Sequence, residues 1–170
     1  MYIETGRVLI RKFELKDWQA VHEYTSDINV MKYLSEGAFS EKDVVEFINK
    51  NIFENAEKFP VVLKDENILI GHIAFHKWSG EHTYEIGWVF NPKYYNRGYA
   101  TEAAYAVMKY GFEKMKLHRI IATCQPENTP SFRIMEKIGM RKEGYFKKCI
   151  PMGNQWWDEY FYAILEEEWK

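Results

Sequence analysis

Apolar and polar positions recur with two different periods along the first half of the chain. Strand-like alternation, rich in β-branched and aromatic residues, occurs in four segments: 7–13, 59–63, 68–78 and 83–90. Apolar residues at helical spacing occur in three others: 15–27, 29–34 and 40–56. Ser40 and Asp43 form a capping box at the start of the last of these, and the KDEN of residues 64–67 suits a tight turn. The pattern predicts one strand, three helical pieces and an antiparallel meander.

The second half of the chain alternates predicted helices and strands: a helix (97–116), a strand (118–125), a helix (129–139) and a closing hairpin (140–151 and 155–165) around the turn MGN. Gly111 lies on the apolar stripe of the first helix. Because a glycine inside a helix costs ~1 kcal/mol relative to alanine, this position predicts close packing against the sheet. Thr129 is the expected N-cap of the second helix, Pro130 its first residue and Gly139 its C-terminal stop.

Composition narrows the class of protein. The 170 residues are 46% hydrophobic and 17% aromatic, which predicts one well-buried domain over residues 1–170. No apolar run approaches the ~20 residues that cross a bilayer, and the first residues, MYIETGRVLIRKF, lack the apolar core of a signal peptide. We expect a cytoplasmic protein without a membrane partner. Cys124 and Cys149 are expected to be free thiols, and no histidine or cysteine spacing predicts a metal site.

The charge distribution gives little attraction to nucleic acid. The net charge is -2, and the one local basic cluster, RKEGYFKK at residues 141–148, is expected to be a solvated strand face. A nucleic-acid-binding module would require this cluster to join a wider basic surface. The sequence therefore predicts no nucleic-acid partner and leaves the oligomeric state open, a homodimer included.

The junction between the strand YEIGWVF and the following helix carries the strongest chemical indication. The first N–H groups of a helix are unpaired and carry a partial positive charge, so a compact strand-loop-helix turn can bind a diphosphate. Gly98 permits close approach, Arg97 adds charge, and Tyr99 and Ala100 begin the helix. A glycine in such a turn is equally compatible with a purely structural role. The chain has no GK[ST] motif, which excludes a P-loop, and no GxGxxG motif, which excludes the phosphate loop of a dinucleotide-binding fold.

The segment YEIGWVFNPKYYNRGYATEA, followed by LHRIIATCQPENTPSFRIMEKIGM, resembles the Gcn5-related N-acetyltransferases. The likeness spans the chain and is nearest to the branch that acetylates ribosomal-protein N-termini, together with bacterial diamine and antibiotic acetyltransferases. It implies an α/β (α+β) domain whose mixed, mostly antiparallel sheet is splayed in the middle and flanked by helices. It also implies acetyl-CoA as co-substrate.

The resemblance assigns the coenzyme contacts. The family loop Q/R-x-x-G-x-G/A coincides with residues 95–100, with Tyr95 where Gln or Arg is usual. In the second motif Asn128, Ser131 and Gly139 match, whereas Met135 and Met140 replace a tyrosine and a phenylalanine. The implied coenzyme-binding residues are Trp88, Val89, Phe90, Tyr95, Asn96, Arg97, Gly98, Tyr99, Ala100, Thr101, Asn128 and Ser131.

The catalytic residues follow from the same resemblance and from the chemistry of acyl transfer. In many relatives the missing tyrosine is proposed to protonate the leaving thiolate, and Ser131 is the substitute here. Glu85 matches a strand glutamate that acts as base, although a rim carboxylate that attracts cations is an equal alternative. N–H groups near Val89 and Phe90, where the strand should splay after Gly87, are the expected oxyanion donors. Asn128 and Ser131 have structural alternatives, and Cys124 is expected to be a buried small hydrophobe.

The resemblance implies direct transfer of acetyl to a primary amine. The acceptor pocket is expected from the first helices and the loop after them (residues 33–39), the strand of Glu85, and the last hairpin with Trp156 and Trp157. A polypeptide terminus, a polyamine and an aminoglycoside all remain open as acceptors. A non-catalytic acyl-CoA-binding sensor, which would retain Gly98 and Asn128 without turnover, is the main alternative to an enzyme.

Overall fold

A computed structural model describes residues 1–169 and shows an eight-stranded sheet in the order β1-β2-β3-β4-β5-β6-β8-β7. Its strands are β1 (Ile3–Glu4), β2 (Val8–Ile10), β3 (Lys58–Leu63), β4 (Ile68–Ser79), β5 (Thr83–Phe90), β6 (Arg119–Cys124), β7 (Arg141–Met152) and β8 (Gln155–Leu165). Among the strands of residues 1–169, only the β5–β6 pair is parallel. The helices are α1 (Trp18–Thr25), α2 (Ile28–Met31), α3 (Glu41–Asn51), α4 (Tyr99–Glu113) and α5 (Thr129–Lys137). The predicted mixed, mostly antiparallel fold, with its meander and closing hairpin, is confirmed.

Helices cover both faces of the sheet. Val61 packs into the core beneath α4 and α5, and its neighbour Val62 packs into a second core with α1 and α3. This reversal follows from the alternation of side chains along a strand. Full burial of each such side chain contributes roughly 1.5–3 kcal/mol. The two cores therefore hold a five-residue run of β3, Phe59–Leu63, buried on both sides.

Gly111 confirms the predicted close packing of α4. A Cβ atom there would lie 3.0 Å from Ile120 Cδ1 and 3.1 Å from both Leu117 Cδ1 and Phe75 Cζ. The glycine thus brings the helix backbone onto the sheet at the cost of helix propensity. The capping box of α3 is also confirmed, since Ser40 Oγ accepts from the Asp43 N–H at 3.3 Å and Asp43 Oδ2 accepts from the Ser40 N–H at 2.8 Å.

The start of α5 differs from the prediction by one residue. Thr129 is the first helical residue and Asn128 occupies the N-cap, so the assignment of Thr129 as N-cap was wrong. The reason is that the Asn128 carbonyl already accepts the N–H groups of Ser131, at 3.0 Å, and Phe132, at 3.4 Å. Gly139 ends the helix as predicted, with φ of +91° and its N–H donating to the Glu136 carbonyl at 3.1 Å.

The sheet splays between β5 and β6. These strands pair only through residues 83–85 and 119–121, after which β5 continues beside β4 and β6 continues beside β8. Each strand keeps its antiparallel ladder, so the two parallel neighbours separate and leave a wedge-shaped gap. The prediction that the splay begins after Gly87 was late by two residues, because pairing ends at Glu85.

Both cysteines are free thiols, as expected. Cys124 is buried and Cys149 exposed, and neither forms a disulfide. Residues 141–148 lie on the edge strand β7 and are exposed apart from Gly144, as expected of a solvated strand face. Within residues 1–169 no helix has the length and apolar character needed to span a membrane.

Candidate active site

The gap between β5 and β6 exposes backbone N–H groups. Asn91 donates its N–H to the Ile70 carbonyl on β4 at 2.8 Å. Because N–H groups of an antiparallel strand point alternately to its two sides, the Val89 N–H also points to β4, and those of Trp88 and Phe90 point into the gap. The expected oxyanion role of Val89 does not fit this alternation. Trp88 and Phe90 are the residues whose donors face the gap.

The loop from β5 to α4 presents a second set of donors. Asn96 and Gly98 both have left-handed backbones, with φ of +60° and +79°, and Gly98 is the N-cap of α4 without a side-chain cap. The first helical hydrogen bond runs from the Glu102 N–H to the Gly98 carbonyl at 3.0 Å. Within residues 1–169 the N–H groups of 99–101 therefore lack an intrahelical acceptor, as in any first turn. This arrangement suits a diphosphate, since free N–H groups and the helix dipole converge on one point.

Arg7 braces this loop, and sequence analysis missed it. Its Nη1 donates to the Arg97 carbonyl at 3.0 Å, and its Nε donates to Glu102 Oε2 at 2.6 Å. Glu102 also accepts from Thr5 Oγ1 at 2.6 Å. Partial burial acts to raise the pKa of Glu102, but the hydrogen bonds from Thr5 and Arg7 hold that pKa below its ordinary value. Arg7 thus fixes the loop and neutralises a carboxylate in the first turn of α4, and only the long-range pairing of β2 with the sheet reveals this.

Tyr95 occupies the position where the family loop usually has Gln or Arg. Its side chain is half exposed and lies toward α2. Burial, and then the charge of Asp27 just before α2, raises its pKa. Its N–H donates to the Pro92 carbonyl at 3.2 Å, closing the short 3-10 turn at Pro92–Tyr94. The turn at position 95 is therefore closed by a backbone hydrogen bond, and it does not require the glutamine or arginine side chain that is usual at this position in the family.

The other wall of the gap is formed by β6 and the start of α5. Asn128 and Ser131 are half-buried there, and Ser131 lies beside Cys124. Burial raises the pKa of the Cys124 thiol to about 12, although the Ser131 hydroxyl and the Phe132 N–H act to lower it. Cys124 is therefore a neutral, buried thiol, as predicted. Met135 is 1% exposed and belongs to the core beneath α5.

Glu85 lies on the opposite face of the sheet from α4 and α5. Thr123 Oγ1 donates to Glu85 Oε1 at 3.3 Å, and His76 Nε2 lies 3.9 Å from Glu85 Oε2. The Glu85 side chain is 26% exposed, so it is accessible at the edge of the gap. Thr123 and His76 escaped sequence analysis because only the pairing of β4, β5 and β6 brings them to Glu85.

Glu159 on β8 is a further carboxylate at this position. Burial raises its pKa, the Thr123 hydroxyl acts to lower it, and the charge of Glu85 raises it. The period-two geometry of a strand could have indicated the face of Glu159 on β8, but its distance in sequence from Glu85 concealed their shared face. Trp157 shares that face, and Trp156, which is 59% exposed, lies on the other. Phe39 of the predicted pocket loop packs on Phe47 at 5.7 Å between ring centroids.

A groove of about 900 Å³ lies apart from this gap. It runs between the N-terminal residues 2–6 and the outer side of α4, and it touches Gly98 and Thr101. Neither Glu85 nor Thr123 lines it. The groove is therefore separate from the Glu85 and Thr123 side chains on the other face of the sheet.

The family model described as "Acetyltransferase (GNAT) domain" matches residues 7–141. The chain belongs to this family. It is a GNAT N-acetyltransferase, an enzyme of a family that uses acetyl-CoA. The predicted family is thereby confirmed.

Similar proteins agree with this assignment. The chain is 72% identical over 169 residues to the "Uncharacterized N-acetyltransferase YnaD" of Bacillus subtilis, covering 99% of both chains. A crystal structure of a GNAT-family acetyltransferase from Bacillus anthracis matches with a TM-score of 0.96 and 73% identity, over 98% of this chain and 99% of that one. The spermidine N-acetyltransferase of Vibrio cholerae, solved with CoA and spermine, matches with a TM-score of 0.83 over 96% and 98% of the chains. At 23% identity that likeness shows the fold alone.

Proposed function

We propose that this enzyme binds acetyl-CoA with the pyrophosphate at the start of α4 and the acyl group in the gap between β5 and β6. The observation that carries the proposal is the left-handed N-cap Gly98, after which the first N–H groups of α4 have no intrahelical acceptor within residues 1–169. Trp88, Val89 and Phe90 would line the extended part of the coenzyme. Residues 95–101 would contact the coenzyme from one side, and Asn128 would contact it from the other.

The gap would allow direct transfer from one face of the sheet to the other. Coenzyme approaches from the side of α4 and α5, and the acceptor amine approaches from the side of Glu85. The amine nitrogen attacks the thioester carbon, the C–S bond breaks, and the departing thiolate takes up a proton. No enzyme group forms a covalent bond in this scheme, and Cys124, neutral and buried, is not needed as a relay.

Each residue then has a defined task. Glu85 takes the proton that the amine loses on attack, directly or through water. The N–H groups of Trp88 and Phe90 stabilise the oxyanion that develops on the carbonyl oxygen. Ser131 is the side chain of the second motif that could donate a proton to the thiolate, with solvent as the alternative donor. Arg7 keeps the phosphate-binding loop in place without contacting the reacting atoms.

The acceptor is a primary amine, either on a small molecule or at a protein N-terminus. The resemblance to the ribosomal-protein branch favours a polypeptide terminus. The open edge strand β7 and the exposed Trp156 are compatible with either size of acceptor. We therefore leave the size of the acceptor to experiment.

Thiol release from acetyl-CoA in the presence of a panel of primary amines and N-terminal peptides tests the proposal. We expect turnover with at least one amine and mass spectrometric detection of its monoacetylated product. Binding of acetyl-CoA without turnover on any amine would contradict the reaction. Turnover without any dependence of coenzyme affinity on Gly98 would contradict only the phosphate-binding assignment.

A further inference from the structure

Gln125, the first residue after β6, is a buried polar residue without a side-chain hydrogen bond. Among residues 1–169 six polar residues are buried, and the other five have side-chain hydrogen bonds: Asp17, Thr25, Asn51, His72 and Asn91. In the same part of the chain every side-chain nitrogen or oxygen that is sealed from solvent has a partner. The Gln125 amide, on a residue that is only 8% exposed, therefore keeps access to open space. Because an unpaired buried amide is costly, such a group points to a ligand that pairs with it.

Strand register places Gln125 on the β6 wall of the gap. The last parallel pair of β5 and β6 joins Glu85 to Ile121. Since parallel strands advance in step, Gln125 lies at the level of Val89, where the two strands have separated. The Asn128 N–H donates to the Gln125 carbonyl at 3.0 Å, so the turn that leads to α5 fixes the backbone of Gln125. The amide is therefore attached to a fixed part of the wall, level with the β5 N–H groups that face the gap.

The Gln125 side chain lies on the acceptor side of the sheet. Thr123, two residues earlier, donates to Glu85 on that face. Side chains alternate between the two faces along a strand, and Pro126 favours an extended backbone at the residue before it, so the alternation continues through Gln125. Gln125 thus shares the face of Glu85. The levels of these two residues are roughly 13 Å apart along the strands.

Gly87 leaves the space between these two levels open. It lies on the same face of β5 as Glu85, midway to the level of Gln125. Apart from its chain neighbours, a Cβ atom at Gly87 would meet only the Ala74 Cβ, at 3.7 Å. An amino group above Gly87 would therefore have a carboxylate from β5 on one side and an amide from β6 on the other.

From this arrangement we infer that Gln125 binds the attacking amine and orients it for acetyl transfer. This inference rests on the proposed function, because it assigns a further group to the same gap. A neutral primary amine has two N–H groups and one lone pair. Glu85 takes the proton of one N–H, and the Gln125 amide oxygen accepts the other N–H without removing its proton. The lone pair is then directed at the thioester carbon, where the C–N bond forms, the C–S bond breaks and the departing thiolate takes up a proton.

Gln125→Met tests this role, because it replaces the amide with an unbranched apolar side chain. We expect kcat/KM for the amine to fall by about 10- to 30-fold, while the affinity for acetyl-CoA, measured by calorimetry, stays within about twofold of wild type. The amide oxygen does not titrate, so the loss should be equal at neutral and at high pH. This pH dependence distinguishes Gln125 from Glu85, whose contribution is expected to shrink at high pH.

Asn49→Leu is the matched control, because it removes an exposed side-chain amide on α3 and should leave the kinetics unchanged. Gln125→Leu, a second apolar replacement, should give the same loss as Gln125→Met. Unchanged kcat/KM in folded Gln125→Met, a loss that disappears at high pH, or an equal loss of coenzyme affinity would overturn the inference while the acetyltransferase activity stands. If neither variant folds, the amide serves the stability of the fold and the inference is overturned as well. Failure of the wild-type enzyme to acetylate any amine would instead overturn the proposed function, and the inference with it.

Discussion

The coenzyme side and the acceptor side of the gap are built in different ways. The proposed coenzyme side consists mainly of one contiguous segment, residues 88–101, whose backbone N–H groups would bind the coenzyme, with Asn128 on the opposite wall. The acceptor side consists of side chains from β4, β5, β6 and β8 that are brought together only by strand pairing. A backbone site tolerates changes of side chain such as Tyr95, whereas a side-chain site changes with each substitution. This difference predicts a conserved kind of co-substrate and a variable acceptor among proteins of this fold.

The largest expected effect is on the acceptor side, from Glu85→Gln. Loss of a positioned base lowers kcat/KM by about 100-fold or more near neutral pH. The loss should become smaller at high pH, where the free amine is abundant. Coenzyme affinity should not change, since Glu85 lies on the acceptor face. A pH–rate profile compares the two proteins. An unchanged profile would show that Glu85 is not the base and acts only as a carboxylate at the rim of the site.

Ser131→Ala tests whether the Ser131 hydroxyl, between the coenzyme side and the acceptor side, donates a proton to the leaving thiolate. If the Ser131 hydroxyl protonates the thiolate, kcat falls by about 10- to 100-fold with little change in coenzyme affinity. Thr129→Ala removes an exposed hydroxyl two residues earlier and serves as the control. A kcat within about twofold of wild type would assign the proton to solvent. Because Met135 is buried in the core, Met135→Tyr is not expected to restore activity by reaching the thiolate.

Arg7→Met weakens the brace on the coenzyme side. It leaves Glu102 as an unpaired charge in the first turn of α4, which repels a diphosphate and loosens the Arg97 carbonyl. We expect KM for acetyl-CoA to rise by about 5- to 10-fold with kcat nearly unchanged. Adding Glu102→Gln to this variant should recover much of the loss, because the repulsive charge is gone. Steady-state kinetics of both variants measure this, and an additive further loss in the double variant would argue against the charge explanation.

His72 has the smallest expected effect on activity, because it acts on the stability of the acceptor face. It is buried, bonded through Nδ1 to Tyr24 Oη at 2.8 Å, and burial, with a smaller effect of Lys58, lowers its pKa from 6.5 to about 3. Between these values the unfolded chain binds the proton and the folded chain does not, so stability is lost as the pH falls. This group alone contributes a slope of up to about 1.4 kcal/mol per pH unit. His72→Gln should flatten the acid limb of the unfolding free energy measured by urea titration, and parallel acid limbs would contradict the assignment.

The contrast between the two sides also explains what the sequence could predict. Contiguous patterns predicted the meander, α4 with its Gly111 and the closing hairpin, and the phosphate-binding loop stays a prediction. Errors were local where neighbouring backbone bonds decide the outcome, as at Thr129, and at Val89, where the direction of an N–H depends on the ladder with β4. Arg7, Thr123 and Glu159 were missed because each acts on a residue distant in sequence. Their roles depend on register, which a single sequence does not display.

The most direct test of the account is calorimetric titration of acetyl-CoA into four proteins: wild type, Gly98→Val, Gly80→Val and Glu85→Gln. Gly98 and Gly80 both have left-handed backbones, with φ of +79° and +64°, so valine strains each alike, but Gly80 lies in the turn between β4 and β5. The account predicts that Gly98→Val weakens binding by about 100-fold, equivalent to ~2.8 kcal/mol, and that the other two variants bind within about twofold of wild type. Unchanged affinity in a folded Gly98→Val variant, or an equal loss in Gly80→Val, would contradict a coenzyme site built from the backbone at the start of α4.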